Sequence, residues 1–89
     1  MSISGSVTVT NERGIHARPS SEIAKESLKY KSKIIISYDG KSADAKDVLQ
    51  IIILELFKGN TVHLSADGED EKDAFYGVKE FIEKKYEFD

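Results

Sequence analysis

The chain has no cysteine and no tryptophan. Without cysteine there is no disulfide framework, no thiolate metal cluster and no thiol nucleophile. This fits a reducing compartment. Basic tracts are missing too. Lys and Arg total 13 against 16 Asp and Glu, a net charge of −3, which is a poor start for non-specific nucleic-acid binding. The longest apolar run is Ile51-Ile52-Ile53-Leu54, far short of the ~20 residues that a membrane-spanning helix needs. The first residues, Met-Ser-Ile-Ser-Gly-Ser, lack a basic and apolar secretory leader, so cytoplasm is the expected location.

What is present fits one domain over 1–89. The length of 89 residues leaves no room for a second core. Hydrophobic content of 39% with 33% charged residues marks a folded rather than a disordered chain.

Val7–Thr10 alternates apolar and polar residues, which predicts a strand. Ala17 to about Leu28 reads as a helix. Ile23, Ala24 and Ser27 form its inner stripe, and Glu22, Lys25, Glu26 and Lys29 its outer one. Pro19, the only proline, falls in the first turn, where no intrahelical N–H bond is lost. Lys33–Tyr38 and Lys41–Ala45 read as strands joined by the Asp39-Gly40 hairpin signal, with Ala43 and Ala45 pointing inward. Asp47–Phe57 is predicted as a helix stopped by Gly59-Asn60. Thr61–Ala66 alternates again. Asp67-Gly68 turns the chain, and Asp70 is placed to cap a third helix that buries Ala74, Val78, Phe81 and Ile82. The order is βαββαβα. Four short strands cannot bury both faces of a sheet with three such helices. The expected fold is therefore an α+β open-faced β-sandwich: a four-stranded antiparallel sheet with three helices on one face. The opposite face, with His63 and Ile35, is left for solvent or association.

The segment Asn11-Glu12-Arg13-Gly14-Ile15-His16-Ala17-Arg18-Pro19-Ser20 joins the first strand to the first helix. Gly14 permits a tight turn. His16 falls at the helix entry, beside the free N–H groups of Ala17 and Arg18. Such amides and the positive end of the helix dipole attract anions. Arg18 adds a planar fork suited to phosphate oxygens, and Arg13 adds further positive charge. This arrangement suits a phosphoryl group held on an imidazole nitrogen. Attack needs a neutral ring, and both the arginine and the helix terminus disfavour the imidazolium. After transfer, the same groups offset the charge on the phosphoryl oxygens. No residue set looks like a base, a metal cage or a nucleotide cradle, and no cofactor is expected. The bland reading makes His16 a helix cap and Arg18 a solvated charge. That reading suits a lone His-x-Arg pair better than it suits the whole constellation.

The run Gly14-Ile15-His16-Ala17-Arg18-Pro19-Ser20 resembles the active-site signature of HPr, the histidine-containing phosphocarrier of the bacterial phosphoenolpyruvate-dependent sugar phosphotransferase system. The resemblance runs from about Val7 to Ile82. It implies that His16 accepts a phosphoryl group on Nδ1 from phosphorylated Enzyme I and passes it to IIA domains of sugar permeases or to a regulatory partner. The protein would be a carrier and a protein substrate, not a free-standing enzyme. Ala17 and Arg18 would hold the phosphoryl oxygens. Ser21, Lys25, Leu28, Val48, Leu49 and Ile52 would form the partner-docking patch. From its residues alone, the second helix could equally be one buried on most sides, with Ile51, Leu54 and Phe57 spaced for the core.

Two positions depart from the family pattern. The Gram-positive branch carries a regulatory serine after a lysine; here Lys46 is followed by Asp47. An aspartate cannot be phosphorylated by the serine kinase, yet it caps a helix nearly as well and carries part of the charge of phosphoserine. Glu55 stands where the family has a small residue, often glycine. Three readings follow: a phosphocarrier, a regulatory module of the same fold, and a small-molecule-sensing or oligomerising domain with a coincidental motif. His63 has no second ligand at close spacing, and the acidic run Asp67–Glu71 lacks calcium-loop spacing, so no metal is expected. A monomer with no nucleic-acid or membrane partner is the expected state.

Overall fold

The computed structural model describes residues 2–12, 14, 15 and 17–85. The elements are β1 (Ser2–Thr8), α1 (Ala17–Ser27), β2 (Lys33–Tyr38), β3 (Lys41–Asp44), α2 (Val48–Ile53), β4 (Thr61–Asp67) and α3 (Glu71–Glu83). The sheet runs β1-β4-β2-β3, and every neighbouring pair is antiparallel. The three helices lie on one face, as the element order implied.

Alternation in the strands sorts side chains to the two faces. Val7, Ile34, Ile36, Ala43, Val62, Leu64 and Ala66 point into the core, where they meet Ile23 and Ala24 of α1, Ile51 of α2, and Ala74, Phe75, Val78 and Ile82 of α3. Burying one such Ile or Leu side chain is worth about 1.5–3 kcal/mol. The Asp39-Gly40 hairpin takes positive φ at both residues, +50° and +78°, as its turn type requires.

Several local expectations change. β1 starts at Ser2 and ends at Thr8, rather than covering Val7–Thr10. Apart from Ile3, its first half is serine and glycine, which carry little strand propensity, and its pairing with β4 overrides that. Val9, just past the strand, is buried and pairs instead with the turn after α2: Val9 N donates to Asn60 O (2.9 Å) and Gly59 N to Val9 O (2.8 Å).

α2 ends at Ile53, not Phe57. Leu54 N donates to Ile51 O and Glu55 N to Ile52 O, and Glu55 then takes a left-handed φ of +53°. Beyond it the chain is extended. The buried residue is therefore Leu56, while Phe57 is 63% exposed.

Glu26 is buried rather than outward. It accepts from Tyr30 Oη (2.8 Å) and pairs with Lys29 (2.8 Å), chiefly Lys29's hydrogen bond holding its carboxyl below the usual carboxylate range. Gly77 of α3 lies against this pair; a Cβ there would sit 2.2 Å from Tyr30 Oη. In α3, Phe75 takes the buried place expected of Phe81, which is only half-buried.

Asp70 precedes α3 as its cap residue but makes no side-chain cap bond. Its carboxylate instead accepts from Lys31 N and Ser32 N (both 2.9 Å) and from Ser32 Oγ, tying the loop after α1 to the start of α3.

Candidate functional site

The loop between β1 and α1 is fixed from both sides. Asn11, 2% exposed, donates from Nδ2 to Gly14 O (2.8 Å), while Gly14 N donates to Asn11 O (2.9 Å). Gly14 has φ +74° and packs on the segment after α2. Ile15 is buried and donates from N to Leu56 O (2.9 Å), forming an isolated antiparallel bridge. The turn that ends α2 early therefore also anchors the entry to α1. Lys58 adds an exposed ion pair to Glu12 (2.7 Å), and its hydrogen bond holds the Glu12 carboxyl below the usual range.

α1 starts at Ala17, as expected. Ala17 and Arg18 are exposed, and Pro19 and Ser20 are buried beneath them. The first-turn amides of a helix have no intrahelical acceptors, and this first turn contains no carboxylate to repel an anion. Ser20 Oγ is buried with no hydrogen-bond partner among the described residues. His16 and Arg13, the predicted acceptor and the additional cation, lie outside the described residues.

The expected docking residues divide by exposure. On α1, Ser21 and Lys25 are exposed, and Leu28 beyond its end is 65% exposed. On α2, which packs beside α1, Leu49 is 71% exposed while Val48 and Ile52 are half-buried. Two further apolar side chains are outward: Ile53 at 65% and Phe57 at 63%. Ile53 lies one helical repeat beyond Leu49, a spacing that could have found it. Phe57 was hidden by the assumption that α2 continues. Ile51 and Leu54 are buried as expected.

Asp47 caps α2. Its Oδ1 accepts from Leu49 N (3.0 Å) and Gln50 N (3.3 Å), and its Oδ2 from Gln50 Nε2 (3.2 Å). Gln50 Oε1 in turn accepts from Asp44 N (2.9 Å). Lys46 points elsewhere: its ammonium donates to Tyr30 O (2.9 Å). His63 is exposed on the open sheet face. Among the described residues, no cluster of His, Asp or Glu could hold a metal ion.

The loop held at Gly14 and Ile15 thus lies just ahead of an exposed first turn that carries Ala17 and Arg18. The family model described as "PTS HPr component phosphorylation site" matches residues 3–84. The chain belongs to the HPr family. It is 46% identical over 68 residues to the phosphocarrier protein HPr of Buchnera aphidicola, covering 76% of this chain and 80% of that one. The fold matches the crystal structure of an HPr from Bacillus anthracis with a TM-score of 0.88 at 24% identity, over 92% of this chain and 98% of that one. It also matches Crh, the catabolite repression containing protein of Bacillus subtilis, with a TM-score of 0.73 at 30% identity, over 85% and 87% of the two chains. HPr is a phosphocarrier of the phosphotransferase system. Among the described residues, no helix is long and apolar enough to cross a membrane.

Proposed function

We propose that this HPr-family chain carries a phosphoryl group on His16 between phosphorylated Enzyme I and the IIA domains of sugar permeases. The neutral ring's Nδ1 lone pair attacks phosphorus; an N–P bond forms as the bond to the donor breaks, and the donor keeps its electron pair. Handing the group on reverses the chemistry toward the IIA acceptor. Ala17 N–H, Arg18 and Arg13 offset the oxygen charges. The observation that carries this reading is the exposed, carboxylate-free first turn of α1, opening on Ala17 and Arg18 directly after residue 16. The protein acts as a substrate of its partners rather than as a catalyst. Ser21, Lys25, Leu28, Val48, Leu49 and Ile52 are its docking residues, and the cytoplasm is its compartment. Incubation with phosphoenolpyruvate and Enzyme I should yield one acid-labile, base-stable phosphohistidine per chain. His16→Ala should take up none; label persisting in that variant would remove the claim.

A regulatory role in place of sugar import is favoured by Asp47. Its carboxylate occupies the cap of α2 at the position where the family's Gram-positive branch has the regulatory serine, with a fixed negative charge. In that reading His16 phosphorylation sets affinity for a kinase or transcription factor. Sugar-uptake complementation in a strain lacking its own carrier separates the two. Incubation with the serine kinase and ATP should label no serine near Asp47, and labelling of Ser42 would show that the control survives.

A further inference from the structure

The chain alternates as it leaves α2. Ile53, Glu55 and Phe57 are exposed, while Leu54 and Leu56 between them are buried. Leu49, one helical repeat before Ile53, extends the outward apolar strip. Glu55 is the only charged residue from Val48 to Phe57. A single carboxylate thus stands in the middle of an exposed apolar strip.

That carboxylate is held at a cost. Glu55 has φ +53°, and the only other described non-glycine residue with positive φ is Asp39, in the hairpin turn. The short side chain of an aspartate can bond its own backbone in such a turn, whereas glutamate is disfavoured there and glycine would meet the same φ without strain. Nothing inside the chain offsets the strain. Among the described residues, no ion pair or side-chain hydrogen bond engages the Glu55 carboxylate. Lys58, three positions on, is paired with Glu12 (2.7 Å), and Lys46 donates to Tyr30 O (2.9 Å). Backbone strain without internal compensation is characteristic of places where a protein meets its ligand or partner. On α1, which packs beside α2, Arg18 and Lys25 are exposed cations. A partner suited to those two is acidic where it meets them, and it must be basic where it meets Glu55.

We propose that Glu55 is a partner-selecting residue. Its carboxylate pairs with a lysine or arginine of Enzyme I as the donor docks on the α1–α2 strip, and it repels proteins that are acidic at that point. One charge in an apolar contact fixes register and discriminates between partners more than it adds affinity. Enzyme I is assigned in preference to the IIA acceptors because every transfer begins with the donor, whichever acceptor follows. The inference rests on the phosphocarrier reading and names the residue that chooses the donor.

Phosphoryl transfer from phosphorylated Enzyme I, measured over a range of carrier concentrations, tests it. Glu55→Gln keeps the side-chain length and the strained backbone and removes only the charge. Its KM should rise by about tenfold with kcat unchanged, the size of effect a close interfacial charge pair gives. Glu55→Lys should be worse still, and a Lys→Glu or Arg→Glu substitution on Enzyme I should restore it. Added salt should raise the KM of the unmodified chain toward that of Glu55→Gln, which should itself move less. Glu55→Gly relaxes the backbone and should still show the raised KM, which separates partner choice from a structural role. An equal KM for the unmodified chain, Glu55→Gln and Glu55→Lys overturns the proposal. So does a change seen only in the later transfer to IIA domains, or a Glu55→Gly variant with the KM of the unmodified chain. Each of these leaves the phosphocarrier reading standing, whereas an unmodified chain that takes up no phosphoryl group removes both.

Discussion

A Cβ placed on Gly14 would lie 2.3 Å from the carbonyl oxygen of Leu56 and 2.8 Å from Cα of Phe57. Glycine is therefore required twice at this position: for its φ of +74° and for the approach of two backbones. Replacing it must push the loop off the segment after α2 and break the Ile15–Leu56 bridge that sets where α1 begins. Gly14→Ala is expected to lose about 2 kcal/mol or more of stability, read by urea denaturation. Uptake of phosphoryl groups from Enzyme I should slow in the same variant, because the helix entry moves with the loop.

Glu55 poses the opposite case. It holds φ +53° with its side chain exposed, in a conformation that costs an L-residue about 1 kcal/mol or more. The family resemblance puts a small residue, often glycine, at this position, and the helix end in this structure supplies the reason. Glu55→Gly is expected to stabilise the chain by about 0.5–1 kcal/mol, the relief of strain exceeding the added freedom of the unfolded chain. Thermal melts of the two proteins check this; an unchanged or lower melting temperature would show that the exposed Glu55 side chain contributes something that the strain does not.

Tyr30 is one of four tyrosines, and its phenol is pushed up to about 12, first by its hydrogen bond to Glu26 and then by burial. A folded-state value above the unfolded one stabilises the fold while the pH is below the ordinary tyrosine value of about 10, and this contribution is lost as pH rises through the folded value. An ultraviolet titration of tyrosinate should show one group ionising well after the others. In Glu26→Gln that late step should move back toward the ordinary value.

Ile53 and Phe57 enlarge the outward apolar surface beyond the residues foreseen for docking. Both are more than 60% exposed, so Phe57→Ser should leave stability within about 0.5 kcal/mol. If the patch meets Enzyme I as proposed, kcat/KM for phosphoryl transfer should fall by about fivefold or more, the loss of an interface anchor. Unchanged transfer would confine docking to the residues around Leu28 and Leu49.

The parts legible in the sequence were those where local chemistry and tertiary structure agree. β2 runs over Lys33–Tyr38 as its alternation implied, and α1 differs only by one residue at its end. The Asp39-Gly40 turn left few alternatives, because both residues need positive φ. Near the site, the turn at Gly14 and the start of α1 at Ala17, with Pro19 in its first turn, were readable because each answers a separate local need. The early end of α2 was not readable. Ile51 to Phe57 is apolar except for Glu55, with Ile51 and Leu54 at helical spacing, and the pairing of Leu56 with Ile15, forty-one positions earlier in the chain, shows where the helix must stop. Asp70 misled for a similar reason. It occupies the cap position, but its carboxylate is taken by Lys31 and Ser32, which no local pattern reveals.

The position of β4 between β1 and β2 has a consequence for biosynthesis. The first and second strands do not pair with each other; each pairs with β4, the last of the four described strands to be made. A nascent chain still waiting for Thr61–Asp67 can close the small β2–β3 hairpin but has nothing on which to seat its amino-terminal strand. The sheet is therefore completed only after Thr61–Asp67 has been made, through contacts distant in sequence that slow folding.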